Sequence, residues 1–368
     1  MPIFDQGYQH WQGRLSGHAW RWLAVTRQGV RAQMKNRFTR LVVLFALLPA
    51  LALAMMLIAW GLLEQQAEFI RPVFAFLNFP REMLAEPRSF RLPIWNAAYH
   101  FFFAAEMFFF MILVMLVGPG LISQDLRFNA IPLYFSRPLR RFDYFLGKLG
   151  VIGYFLALVA IVPAVLAYVL GVMFSLDFSV FKDTWRILAA SLAYGLVVVV
   201  SAGTLMLALS SLSRSSRYVG MFWVGIWIIS GSVGGILGGI HEESAQRQAM
   251  QDEWRRQAEI GAKMKGFDPQ EWNRMRQKAN DARHEAAQNN WRPLFSYTDN
   301  LHRMRALFFG TYSAFEQFGK IGGGDGREIA DHLVPQYPWY WSAGVLLGLF
   351  GISLCILTTR VKSLDRLR

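Results

Sequence analysis

Six apolar stretches run through this 368-residue chain, at about 41–63, 99–122, 149–173, 187–210, 218–240 and 342–359. Each is long enough to carry a helix, at ~1.5 Å per residue, across roughly 30 Å of hydrocarbon. The pattern predicts a polytopic, all-α membrane protein. Composition agrees: 54% of residues are apolar and 15% aromatic, more than a soluble domain usually carries. The polar segments between the spans divide the chain into a segment 1–40, a five-span block 41–240 with a polar loop at 123–148, an insertion 241–338, and a sixth span with a basic tail at 339–368.

Charge assigns sides to this pattern. Residues 1–40, the loop after span two, the short link after span four and the tail hold 18 Lys and Arg against four acids, Asp5, Asp125, Asp143 and Asp365. The connections 64–98, 174–186 and 241–338 hold 20 of each sign. Basic residues in short connections favour the cytoplasm, and long connections translocate largely regardless of charge, so both termini are expected in the cytoplasm and the insertion outside. The net charge of +13 is then a matter of topology before nucleic-acid binding. The first forty residues lack a short apolar core with a small-residue cleavage site, so span one is expected to act as an uncleaved insertion signal. Within them, Trp20, Leu23, Ala24, Val30 and Met34 alternate with Arg21, Arg27, Arg31, Lys35 and Arg37, predicting a basic amphipathic helix on the cytoplasmic leaflet. A solvated basic tail is the alternative.

The insertion has its own periodicity. Met250, Trp254, Ala258 and Gly261 recur at helical spacing, and Trp272, Met275, Ala279, Ala282 and Ala286 repeat it after a break at 266–269. Asp268 as N-cap, Pro269 at the first helical position and Glu271 make the second start. Together they predict an antiparallel helical hairpin standing outside the membrane, followed by one amphipathic helix over 298–319 and a glycine run at 322–326. Trp339, Tyr340 and Trp341 mark re-entry into lipid. Span five carries small-xxx-small spacing at Gly231, Gly235 and Gly239 and at Gly234 and Gly238, which permits close helix contact.

The densest polar motif lies between spans two and three: Ser123, Gln124, Asp125, Leu126, Arg127, then Leu133, Tyr134, Phe135, Ser136, Arg137, Pro138, then Arg141, Tyr144, Gly147 and Lys148. Pro132 can open a short helix and Pro138 end it. This run resembles the cytoplasmic connection of ABC-2 type permeases, the transmembrane subunits of ATP-binding cassette exporters. The resemblance implies a type V exporter-like layout and a coupling helix at about Pro132 to Ser136, with Asp125, Arg127, Arg137, Pro138 and Arg141 around it. It also implies a separate ATPase that holds ATP and Mg, a second permease copy or homologue, and a setting such as the bacterial inner membrane. Where that family often has Gly-Thr, an apolar residue and Glu, this chain has Asn129, Ala130, Ile131 and Pro132.

Other chemistry is sparse. Gly147-Lys148 lacks the rest of a phosphate-binding loop, the seven histidines lack paired metal spacing, and no Gly-x-Ser-x-Gly elbow is present, so the chain is not expected to be an enzyme. Cys355 is the one cysteine, which rules out an internal disulfide. Glu106 is the ionisable residue inside a span and so a candidate for the translocation path, a carboxylate facing a neighbouring helix being the equal alternative; the resemblance, which implies that spans two and five line the path, adds Gly231 and Gly235. Ser191, Ser201, Thr204, Ser210 and Ser211 are expected to bond within or between helices. Two further classes fit the same residues: a non-transporting membrane anchor, with the insertion docking an outer accessory protein, and an ion-coupled secondary transporter using Glu106. Membrane lipids are partners in every case. The apolar spans suit lipids, drugs and hydrophobic peptides alike, so the sequence does not choose a substrate.

Overall fold

A computed structural model describes residues 20–135, 139–175, 179–259, 269–321, 330–331 and 333–362. Among them every regular element is helical. Six helical stretches are long and apolar enough to cross a bilayer: Arg37–Glu64, Pro87–Arg127, Arg141–Met173, Ser179–Leu212, Ser216–Arg256 and Trp339–Arg360. All six apolar runs of the sequence therefore become helices, and several begin earlier than hydropathy alone predicts.

The chain opens with α1 (Arg21–Met34), and Asn36 then caps α2 (Arg37–Phe45) by accepting from Phe38 N at 3.0 Å. Span one continues as α3 (Leu47–Glu64). Two short helices, α4 (Arg71–Phe76) and α5 (Arg81–Ala85), precede α6 (Arg91–Val117). Span two bends at Gly118-Pro119 into α7 (Gly120–Arg127), and α8 (Ile131–Phe135) follows. Span three is α9 (Arg141–Leu156), a π-helical turn at Ala157–Ile161, and α10 (Val162–Met173). Pro163 follows the turn, and its missing N–H accounts for the interrupted ladder. Span four is α11 (Ser179–Leu212).

The centre of the bundle is α11, which packs against α6, α7, α9 and the final span. In its most apolar window 61% of residues are buried, against 17% for span five and 22% for span six, so the last two spans lie at the periphery of this single chain. Glycine sets the closest crossings. A Cβ on Gly118 would lie 2.2 Å from Met206 Cγ on α11, and one on Gly171 would lie 2.8 Å from the Trp95 ring.

The basic amphipathic helix α1 is present and docks on the start of span three. Thr26 Oγ1 donates to Gly147 O at 3.0 Å, and a Cβ on Gly150 would lie 2.5 Å from Thr26 Oγ1. Trp20 and Leu23 remain exposed.

Span five continues without a break into the insertion as α12 (Ser216–Glu259), 44 residues long. Its return partner, α13 (Pro269–Gln288), begins at the expected proline, while Asp268 and Gly261 lie outside the described residues. The two pack antiparallel, with Met275, Ala279 and Ala287 buried, Gln246 bonded to Asn280 at 3.1 Å, and Lys278 Nζ 2.7 Å from Glu253 Oε1. The hairpin is thus an extension of a span and not a separate module.

One expectation fails. Residues 298–319 form two helices, α14 (Tyr297–Phe308) and α15 (Thr311–Ile321), parted at Gly310, whose φ of +54° is a left-handed conformation that glycine adopts freely. Helix α14 also packs against α6, α11, α12 and the final helix α16 (Trp339–Lys362) instead of lying apart from the bundle. Its Tyr297 hydroxyl shares a 3.0 Å hydrogen bond with Ser201, and Phe309 stacks on Phe103 at 5.4 Å and Tyr99 at 6.1 Å. These buried aromatic contacts tie the segment to the bundle.

Candidate functional site

The polar motif between spans two and three folds into a compact knuckle. It starts at the bend, where Pro119 breaks the helical ladder and Ser210 of α11 repairs it. The Ser210 hydroxyl donates to Pro119 O at 2.8 Å and accepts from Ile122 N at 3.1 Å and Ser123 N at 3.0 Å. The other span-four hydroxyls also bond within or between helices: Ser191 to Ile187 O, Thr204 to Val200 O and Ser211 to Ala208 O.

Helix α7 ends in a left-handed residue. Asn129 has φ +50°, and Ala130 N reaches back to Asp125 O at 2.8 Å while Phe128 N bonds Gln124 O at 3.0 Å. This is the C-terminal stop that glycine usually supplies and asparagine tolerates. Asn129 therefore makes the turn that a glycine would make here. Ala130 O then accepts from Leu133 N and Tyr134 N, opening α8 with Pro132 at its second residue, where no N–H is needed.

Asp125 turns inward. Its Oδ2 lies 2.6 Å from Lys148 Nζ and accepts from the Tyr144 hydroxyl at 2.7 Å, and the Lys148 ammonium stands 5.4 Å from the ring centres of both Tyr134 and Tyr144. This acid ties the two ends of the loop together. Outward face Phe128, Leu133 and Phe142, exposed at 72%, 70% and 71%, with Pro132 exposed and the Arg127 guanidinium 5.5 Å over the Phe128 ring. Arg141 begins α9, and the carboxylate of Asp143 accepts from Arg140 N at 3.2 Å. Ser136, Arg137 and Pro138 lie outside the described residues.

The path candidates sit on two spans, Glu106 on α6 and Gly231 and Gly235 on α12. Glu106 is fully buried inside the chain, and neither carboxylate oxygen has a hydrogen-bond partner among the described residues. Gly231 packs near Thr298, with 3.4 Å from a built Cβ to its Oγ1, whereas Gly235 and Gly239 have nothing within 4 Å. Close contact uses the other stripe: a Cβ on Gly234 would lie 2.7 Å from Ser296 Cβ, and one on Gly238 3.2 Å from Pro293. Beside that stripe is a polar cavity of about 240 Å³ lined by Asp299, His302 and Tyr337. Burial there pushes the Asp299 carboxyl up to about 6, opposed by its bond to Ser296. Burial, then Arg305 and Arg303, push His302 down to about 3, opposed by the Leu333 backbone.

Sequence patterning missed a buried ion cluster at the other end of the bundle. Arg91 Nε donates to Glu64 Oε1 at 2.9 Å, its Nη2 lies 2.5 Å from Glu64 Oε2, and its Nη1 reaches Asp183 Oδ2 at 2.9 Å. Glu64 and Arg91 fall just outside the apolar runs and read as loop charges. Helix α6 starts eight residues before the apolar run that predicts span two, which carries Arg91 into the packed layer. An acid closing one span and a base preceding the next were the available signal.

These features define an integral, multi-pass membrane protein with a built polar knuckle between its second and third spans. The family described as ABC-2 family transporter protein matches residues 24–356, so the chain belongs to that family and is an ABC transporter permease, a membrane transport component. No curated protein matches the chain.

Proposed function

We propose that the chain is the permease of an ABC exporter, driven by a separate ATPase that binds ATP and Mg and docks on the knuckle from the cytoplasmic side. The observation that carries this is the pairing of a rigid base with an exposed apolar tip. Asp125, Lys148 and Tyr144 fix the loop, while Phe128, Leu133 and Phe142 project with Arg127 beside them. An exposed apolar cluster rimmed by charge suits a protein interface.

ATP-driven closure of the ATPase pair would press on α8. Through α7 the push reaches the Gly118-Pro119 bend, where Ser210 couples it to α11 at the bundle's centre. Two permeases, identical or homologous, would then rock against each other. In this scheme both termini lie in the cytoplasm, the hairpin α12–α13 projects from the other side, where an accessory protein could dock, and α1 rests at the cytoplasmic interface with its exposed Trp20 toward lipid.

Purification in mild detergent tests the docking. The ATPase subunit is expected to co-purify with the wild type and be lost from a Leu133→Asp, Arg127→Glu double variant whose thermal unfolding is unchanged. Retention of the ATPase in that folded variant overturns the docking surface. Orientation has a separate check: in a Cys355→Ser background, a cysteine at residue 280 should label from outside and one at residue 140 should not.

A further inference from the structure

Between α3, α6 and α15 runs a groove of about 610 Å³, roofed by residues 77–80. Leu53, Met83, Ile94 and Phe102 form its buried floor, and the small side chains of Ala52, Ala98 and Ala105 leave it open. Among its described lining residues Asn78, at the roof, is the one polar side chain. The volume is within the ~300–1,000 Å³ typical of sites for apolar small molecules.

Position narrows the occupant. The groove opens onto a surface continuous with lipid, since Leu51 and Met55 on α3 and Phe101 and Phe108 on α6 are exposed on helices that cross the bilayer. Its roof lies beside α4, which exposes Val73 and Phe76 next to Arg71 and is flanked by the exposed Phe69 and Leu77, with Arg81 opening α5. Exposed apolar side chains interleaved with cations on a short helix mark a segment lying at the bilayer surface. From that level the groove descends along α6 from Ile94 to Ala105, about 16 Å at ~1.5 Å per residue. That depth is close to half of the roughly 30 Å hydrocarbon core, the share of one leaflet.

We propose that this groove holds one acyl chain of a bilayer phospholipid, which enters from the leaflet bordering residues 66–90 and leaves its polar end beside Asn78 and Arg81. A groove of this depth, apolar below and polar only at its mouth, matches a chain hanging from a headgroup. The proposal rests on the spans and not on the direction of transport or on ATPase docking.

The full chain, reconstituted in nanodiscs of phosphatidylcholine carrying a diazirine at the far end of one acyl chain, supplies the test. After illumination, mass spectrometry should find adducts on Leu53, Phe102 and Ala105 in excess over those on Ile229 and Ile236, exposed residues of α12 that serve as a lipid-facing reference. In Ala98→Phe and Ala105→Trp, which fill the groove, the excess is expected to fall to the reference level, while Ala98→Ser retains it. Unchanged labelling of α12 in the filled variants reports that they fold. Groove labelling no higher than the reference in the wild type, or an excess that survives both filling substitutions, overturns the proposal.

Discussion

Asp125 and Lys148 meet at 2.6 Å across the base of the knuckle, joining the end of span two to the start of span three. Both side chains are largely buried, so removing one partner strands the other: Asp125→Asn or Lys148→Met is expected to cost about 3–5 kcal/mol, whereas replacing both with apolar residues of similar size is close to neutral. Unfolding of the single and double variants gives the coupling as a double-mutant cycle. If the clamp also sets the docking geometry, the double variant keeps its stability and loses ATPase-coupled transport.

Asn129 supplies a second local test. At φ +50° a β-branched side chain is strained, so Asn129→Val should destabilise by about 1–2 kcal/mol, and Asn129→Gly should leave stability nearly unchanged. Comparing unfolding midpoints separates the conformational requirement from any contact made by the amide. A neutral Asn129→Val would show that the end of α7 does not require a left-handed residue.

Glu106 should trade stability against activity. A buried carboxyl without a partner costs roughly 1–3 kcal/mol, so Glu106→Met is expected to raise thermal stability. A functional carboxylate predicts that the same variant loses transport in reconstituted vesicles. Full transport with raised stability would assign Glu106 to packing alone.

The cluster at the other end of the bundle ranks its members. Glu64 and Arg91 have side chains only 5% and 6% exposed, while Asp183 is 54% exposed. Glu64→Gln is therefore expected to cost about 3–5 kcal/mol. Asp183→Asn, largely screened by solvent, should cost less than about 1 kcal/mol. Denaturation of the two variants side by side reads the difference.

Neighbouring glycines of α12 should behave in opposite ways. Gly234→Val drives atoms into Ser296 and is expected to unfold the α12–α14 contact, whereas Gly235→Val meets open space within the chain. A folded Gly235→Val variant that loses transport would place this stripe against a second permease or on the path. One that keeps transport would remove Gly235 from the candidates.

How much of this was legible in the sequence depends on range. The six spans, the proline at the start of α13, the hairpin seam at Met275 and Ala279, and the bonding role of Ser210 all follow from spacing or from the cost of a free hydroxyl in an apolar layer. The inward turn of Asp125 did not, because the identity of a charged residue does not say whether its partner is Lys148 or another protein. Neither did the return of α14, since the pairing of Tyr297 with Ser201 joins residues far apart in the chain. Gly234 and Gly235 differ in role only through rotation about α12, which spacing alone leaves open.

Helix α12 has a mechanical consequence. It is an unbroken rod of 44 residues, about 66 Å at ~1.5 Å per residue, stiffened along its polar half by α13. A tilt of about 10° at its buried end would swing the tip by roughly 11 Å. Small adjustments among the bilayer helices would thus be broadcast as a large excursion well beyond the headgroups, where a fluorophore pair could follow each stroke.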